Sequence, residues 1–122
     1  MERVLVIDDD NLVRDSLTLT LEWAGYDVSE AANTQEGLSF HRENPATVVV
    51  ANEINSNEDR LEQIRAFHNH SPTVPIIAIS GTVPSSDQEI DRLNSISTSL
   101  VHLQKPFTVD ELLTTIQTAL PH

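Results

Sequence analysis

Three carboxylates in a row, Asp8-Asp9-Asp10, follow the apolar run Val4-Leu5-Val6-Ile7. Like charges this close repel one another, so their placement at the mouth of a buried strand points to a cation, or a cationic side chain, received there. The same triplet also reads as a solvated turn and the N-cap of the next helix, because Asp caps well. Three later stretches carry complementary groups. Asn52-Glu53 offers an amide and a carboxylate, Ser80-Gly81 a hydroxyl beside a glycine, and Gln104-Lys105-Pro106-Phe107 an ammonium.

The elements needed to position these groups can be read in chain order. Val4 to Ile7, Thr47 to Ala51 and Pro75 to Ile79 are short runs rich in β-branched residues, suited to buried strands, Leu100 to Leu103 reads as the fifth strand, and Tyr26 to Ala31 alternates as a short strand. Between them lie helical patterns. Val13, Leu17, Thr20, Leu21 and Ala24 share a face from Asp10 or Asn11 onward, with Gly25 where a C-cap wants φ > 0. Asn33-Thr34-Gln35-Glu36 opens a second helix that Asn44-Pro45 ends. Leu61, Ile64 and Phe67 or His68 mark a third, and Ser86-x-x-Glu89 caps a fourth that carries Ile90, Leu93 and Ile96. Thr108-x-x-Glu111 caps the last, with Val109, Leu112, Ile116, Ala119 and Leu120 as its inner face. Five strands alternating with five helices imply a parallel sheet covered on both faces. Ligand-binding groups then collect at the carboxyl ends of the strands, near the switch in strand order. The loops after Ile7, Ala51, Ile79 and Leu103 are those that hold the acidic triplet, the amide, the hydroxyl and the lysine.

Composition narrows the function classes. The 122 residues suit one domain, expected to span 1–122, and 39% apolar content fits a soluble globular chain. No run reaches the length of a membrane span, and Met-Glu-Arg-Val lacks the apolar core of a signal peptide, so a cytoplasmic location is expected. With no cysteine there is no disulfide, thiolate chemistry or cysteine-held metal. Nineteen acidic against seven basic residues leave a net charge of −12, which repels nucleic acid and anionic membranes.

Ile7-Asp8-Asp9-Asp10 after the first strand, Ser80-Gly81 after the fourth and Lys105-Pro106-Phe107 after the fifth resemble the response-regulator receiver domains of two-component and phosphorelay signalling, and the likeness covers nearly the whole chain. The resemblance implies a (βα)5 flavodoxin-like sandwich with a five-stranded parallel sheet of order 2-1-3-4-5. It also implies a chemistry in which an aspartate after the third strand attacks a phosphoryl group, Mg²⁺ neutralises charge, and a hydroxyl and a lysine hold the phosphoryl oxygens. Carried across, Asp8 and Asp9 bind Mg²⁺, Asp9 the more directly, and Ile54 lends a backbone carbonyl. Ser80 is the phosphoryl-sensing hydroxyl, Gly81 its small neighbour and Lys105 the pairing ammonium. Pro106 takes the place of a proline preceded by a cis bond.

The phosphoacceptor position itself falls on Asn52. An amide is a poor nucleophile and a weaker magnesium ligand than a carboxylate, so Mg²⁺ binding is expected to be weakened. Glu53 cannot easily substitute, because successive strand side chains point to opposite sides. Ser56 and Asn57 stand where the family usually has Pro-Gly, Arg60 where a glycine follows Asp59, and Thr98-Ser99 where it has Gly-Ala. Such joint drift favours a natural pseudo-receiver over a single engineered change.

His102 stands where the family usually has a Tyr or Phe that reports phosphorylation. It is read either as a pH-sensitive replacement or as a strand-end side chain reaching solvent. His41, His68, His70 and His122 show no metal-ligand spacing and are read as surface residues. Asp87, Glu89 and Asp91 are read as a solvated helix face. By resemblance they also lie on the surface of fourth helix, fifth strand and fifth helix that pairs with partners.

The leading expectation is a non-enzymatic signalling module engaging a histidine kinase, an output domain or a second copy, with little or no phosphorylation at Asn52. A conventional phosphoacceptor receiver with an Asp-to-Asn change is the second. A small flavodoxin-like Mg-dependent enzyme or nucleotide binder is the third, and it lacks a Gly-rich phosphate loop after the first strand.

Overall fold

The computed structural model describes residues 2–51, 65–67, 69–70, 73–80 and 100–120. The elements are β1 (Arg3–Ile7), α1 (Asn11–Trp23), β2 (Asp27–Ala31), α2 (Thr34–Glu43), β3 (Val48–Ala51), β4 (Ile76–Ser80), β5 (Leu100–Gln104) and α3 (Val109–Ala119). Residues 65–67 and 69–70 are also helical, in agreement with the third helix read from sequence. The helix expected from Ser86 onward lies outside the described residues.

All strand pairs are parallel, and the sheet order is β2-β1-β3-β4-β5. This is the flavodoxin-like doubly wound arrangement. Continuous apolar runs are needed because both sheet faces are covered. Val4, Val6, Val48, Val50, Ile77 and Ile79 pack on one face with Leu17 and Leu21 of α1 and Leu112 and Ile116 of α3. Leu5, Ile7, Val49, Ile76 and Ala78 pack on the other with Ala31, Ala46 and Phe67.

Local signals set the helix ends. The Asn33 side chain accepts from the Glu36 N–H at 2.8 Å, and Thr108 and Glu111 complete a reciprocal capping box at 3.0 and 3.2 Å. After α1, the Tyr26 N–H reaches the Leu21 carbonyl at 3.1 Å and the Gly25 N–H that of Glu22 at 3.0 Å, a Schellman ending with Gly25 at φ +100°.

Three sequence expectations are corrected. Val13 and Val109, assigned to inner helix faces, are 36% and 53% exposed, because the buried stripes narrow to Leu17 and Leu21 on α1 and to Leu112 and Ile116 on α3. His41 is buried, whereas His70 is exposed as expected. The chain leaves α2 through Asn44-Pro45, and the Ala46 N–H donates to His41 Nδ1 at 3.0 Å, so the ring serves as an acceptor inside the fold. His41 also packs edge-on against Phe67 and His70.

Burial, and secondarily the charge of His70, lowers the His41 pKa from 6.5, so the folded state favours the neutral ring. That stabilisation is complete above the unfolded value of 6.5 and is lost as pH falls through the lowered folded value. Replacing His41 by Leu leaves the Ala46 N–H without its acceptor and is expected to cost about 1–3 kcal/mol at neutral pH. In urea titrations the gap between wild type and His41→Leu should narrow on acidification; a gap that widened would contradict the assignment.

Gly37 lets α2 close on β1: a Cβ there would sit 2.9 Å from Ile7 Cδ1, 3.2 Å from Ile7 Cγ1 and 3.3 Å from Phe67 Cζ. Gly37→Ala should therefore destabilise the protein despite Ala's helix preference, and trimming the obstacle with Ile7→Val should relieve it. A double-mutant cycle on unfolding free energies is expected to give a coupling of at least about 0.5 kcal/mol; strict additivity would count against the contact.

Candidate functional site at the carboxyl edge of the sheet

Register decides which chain exits are neighbours. Ile7 pairs with Ala31 on one side and Ala51 on the other, Ala51 pairs with Ala78, and Ser80 pairs with Gln104. Asp8, Ser80 and Lys105 thus stand at one edge of the sheet, with position 52 next along the chain from Ala51. The switch in strand order lies between β1 and β3, where Asp8 emerges.

Asp8 is 3% exposed, the more deeply buried of the two polar residues in the described core. Its backbone N–H donates to the Ala31 carbonyl at 3.0 Å, which extends the β1–β2 ladder one residue past the strand. Its Oδ1 accepts the Asp10 N–H at 2.9 Å, which turns the chain sharply out of the strand. Asp9 is exposed at this turn. Asp10 caps α1, its Oδ1 accepting from the N–H groups of Leu12 at 2.9 Å and Val13 at 3.2 Å. The acidic triplet therefore divides its work: Asp8 stays buried at the strand end, Asp9 is exposed beside it, and Asp10 satisfies helix donors.

Arg14 was not anticipated from the sequence. Its Nη1 donates to the Asp8 backbone carbonyl at 2.6 Å and its Nη2 to Asn11 Oδ1 at 2.5 Å. The guanidinium ties the first turn of α1 to the loop that carries the acidic residues. The available signal was a cation one turn into the helix that follows three carboxylates.

Lys105 is half-buried after β5, and the Lys105–Pro106 bond is cis, as the sequence resemblance implied. Phe107 packs against the core face that holds Leu17 and Leu112. His102 lies in β5 opposite Ala78, and Ser80 is the last residue of β4; these are backbone placements. Asn52, Ile54, Gly81, Asp87, Glu89 and Asp91 lie outside the described residues. Among the described residues no group of three or more His, Cys, Asp or Glu side chains forms a metal cluster, so Asp8 and Asp9 supply at most part of a ligand set.

Five parallel strands in the order β2-β1-β3-β4-β5, with acidic residues and a lysine at the carboxyl edge, define a flavodoxin-like α/β domain. Residues 4–117 match the response regulator receiver domain, and the chain belongs to that family. It is 31% identical over 112 residues to the response regulator MprA of Mycobacterium sp. strain KMS, a match covering 91% of this chain and 47% of the relative. The chain thus spans about half the length of the curated relatives it matches. Among solved structures, the Vibrio cholerae chemotaxis protein CheY4, crystallised at low pH, superposes with a TM-score of 0.86 at 26% identity, over 98% of this chain and 99% of that one. A CheY-like receiver domain protein from Methanospirillum hungatei gives 0.81 at 25% identity, over 97% and 92%. Among the described residues no helix is long and apolar enough to cross a membrane.

Asp10→Ala removes the acceptor for two helix N–H groups and is expected to cost about 1 kcal/mol of stability in a urea titration, with the circular dichroism of the folded state unchanged. A cost below a few tenths would show that Asp10 does not hold the start of α1.

Proposed function

We propose that this receiver domain signals through protein contact, with little or no phosphoryl transfer to position 52. The observation that carries the reading is Asn52, the residue directly after the strand end Ala51, whose cross-strand partner Ile7 leads into Asp8. A phosphoacceptor here must attack phosphorus with a carboxylate oxygen, and the amide oxygen of Asn lacks the charge for it. Glu53 has the charge, but strand alternation carried past Ala51 would turn it away from the side that position 52 faces.

The remaining residues keep the roles that suit them chemically. Asp8 and Asp9 would hold Mg²⁺ with the Asn52 side-chain oxygen and the Ile54 carbonyl, a set of hard oxygens that fits this ion. The buried Asp8, with its Oδ1 already oriented by the Asp10 N–H, supports that fit. When bound, the ion supplies positive charge toward phosphoryl-type oxygens. Ser80 and Lys105 would bind such oxygens through a hydroxyl and an ammonium. The domain itself is not an enzyme. It works in a cytoplasmic two-component or phosphorelay pathway, with a histidine kinase, an output domain or a second copy as partner. By family likeness the face built from the helix after β4, from β5 and from α3 serves as a partner surface, with His102, Asp87, Glu89 and Asp91 on it.

The retained Asp8, Asp9, Ser80 and Lys105 favour one second reading, a conventional phosphoacceptor receiver in which Asn has replaced Asp at position 52. Sequencing the source gene separates the two.

Treatment with acetyl phosphate and Mg²⁺ is expected to add no phosphoryl mass to the protein, whereas Asn52→Asp should become labelled. Robust labelling of the unaltered chain would sink the proposal. In the same pair, calorimetry should find Mg²⁺ binding in the millimolar range that tightens at least about tenfold in Asn52→Asp, because a third carboxylate joins the ligand set. Absence of heat at millimolar ion in both proteins would refute the assigned cation site.

A further inference from the structure

At the opposite end of the sheet from the acidic edge, the chain forms a cavity of about 350 Å³ walled by His41, Arg42, Pro45, His70, Thr73 and Val74. Several segments meet there. α2 ends with His41 and Arg42 in its last turn, Pro45 leads toward β3, and Thr73 and Val74 lead into β4. His70 comes from the helical residues 69–70, its ring centre 5.9 Å from that of His41 and its plane turned 74° to it.

The wall is rich in donors and poor in metal ligands. The Arg42 guanidinium carries N–H donors and no acceptor, and Thr73 adds a hydroxyl. His41 Nδ1 accepts the Ala46 N–H at 3.0 Å, so the neutral ring keeps its proton on Nε2 and has no lone pair left for a metal ion. None of the six residues carries a carboxylate. A metal ion would therefore meet the single imidazole of His70, whereas an oxyanion meets a guanidinium, a hydroxyl and an imidazole. Basic residues in a last helical turn also complement the helix dipole, which accounts for Arg42 but not for His70 and Thr73, brought there by other segments. Arg42 is one of seven Lys and Arg residues in a chain of net charge −12. Arg3 pairs with Asp27, and Arg14 is occupied by the Asp8 carbonyl and Asn11. Among the described residues Arg42 makes no ion pair.

An exposed imidazole becomes a cation on acidification, and in this wall that role belongs to His70. Burial, and secondarily the charge of His70, keeps the His41 pKa below 6.5, so His41 stays in the wall as a neutral ring. The other charged groups on the described segments around the cavity are Glu43 of α2 and Arg65 beside Phe67, and neither lines it; Ala46, Phe67 and the 73–74 segment bring none. We propose that this cavity binds a small dianion with exposed oxygens, of the phosphate or dicarboxylate kind, held by Arg42 and Thr73 and held more tightly once His70 is protonated. A bound anion joins the end of α2 to the segment that enters β4. It requires nothing of Asn52 or of the acidic edge.

Sulfate is the probe, because it keeps both charges across the pH range in which imidazole titrates, with succinate as the dicarboxylate arm and sodium chloride at matched ionic strength as control. In nuclear magnetic resonance titrations near pH 6, sulfate is expected to move the His70 ring signals and the Arg42 and Thr73 amides along a saturable curve at millimolar concentration. Affinity should fall at least about fivefold near pH 8 as His70 loses its charge. Arg42→Gln and His70→Gln, both at exposed positions, should each weaken binding near pH 6 at least about fivefold, and His70→Gln should also flatten the pH dependence. Arg65→Gln should leave affinity unchanged. Saturation by succinate as well would assign a general dianion site, and saturation by sulfate alone a phosphate-type site. Equal shifts with sodium chloride, affinity unchanged in both cavity variants, a full pH dependence surviving in His70→Gln, or an equal loss in Arg65→Gln would each overturn the proposal.

Discussion

A carboxylate that is only 3% exposed persists in a fold when neighbouring donors or a cation compensate for the lost water. Asp8 is in that position, and much of the molecule is arranged around it. Its N–H is paired to β2, its Oδ1 holds the Asp10 N–H, and its carbonyl receives the Arg14 guanidinium. The strand that delivers it is flanked by β2 and β3 and buried along both faces, so its end cannot shift without disturbing two ladders. Parallel register then carries Ser80 and Lys105 to the same edge.

On the proposed reading, an amide in place of a carboxylate at position 52 changes the electrostatic balance of such an edge. A third carboxylate beside Asp8 and Asp9 adds repulsion that a divalent ion and a lysine must offset. An amide removes that repulsion together with the nucleophile. On the proposed reading the pocket therefore depends less on a cation to hold its loops, and Lys105 meets one negative charge fewer. Contact surfaces away from the edge then become the main carriers of specificity.

Much of this architecture was legible because the signals are local. The strand runs, the caps at Asp10, Asn33 and Thr108, the stop at Gly25 and the turn at Asn44-Pro45 each depend on a few adjacent residues, and observed boundaries differ from expectation by about one residue. The failures share a different cause. Periodicity identifies a helix face but not how far a neighbouring helix reaches across it, so Val13 and Val109 were assigned to faces that α1 and α3 only partly close. His41 carries no motif, since its role arises when the chain turns at Pro45 and the Ala46 N–H needs an acceptor one helical turn back. The Arg14 clamp was missed because a backbone carbonyl as partner leaves no mark in the sequence.

These two failures of periodicity and partner choice meet on one helix. The inner stripe of α1 anchors it to the sheet through Leu17 and Leu21, its first turn is fastened to the Asp8 loop by Asp10 and Arg14, and its outer stripe is apolar and open. Any change at the acidic edge would act on an element whose N-terminus is joined to that edge by hydrogen bonds. Continuity of this kind is a path and not yet a coupling, which requires a segment with two arrangements. The β1–α1 loop is the segment placed to serve, because three adjacent residues, Asp8 to Asp10, meet the buried strand end on one side and hold the helix start on the other.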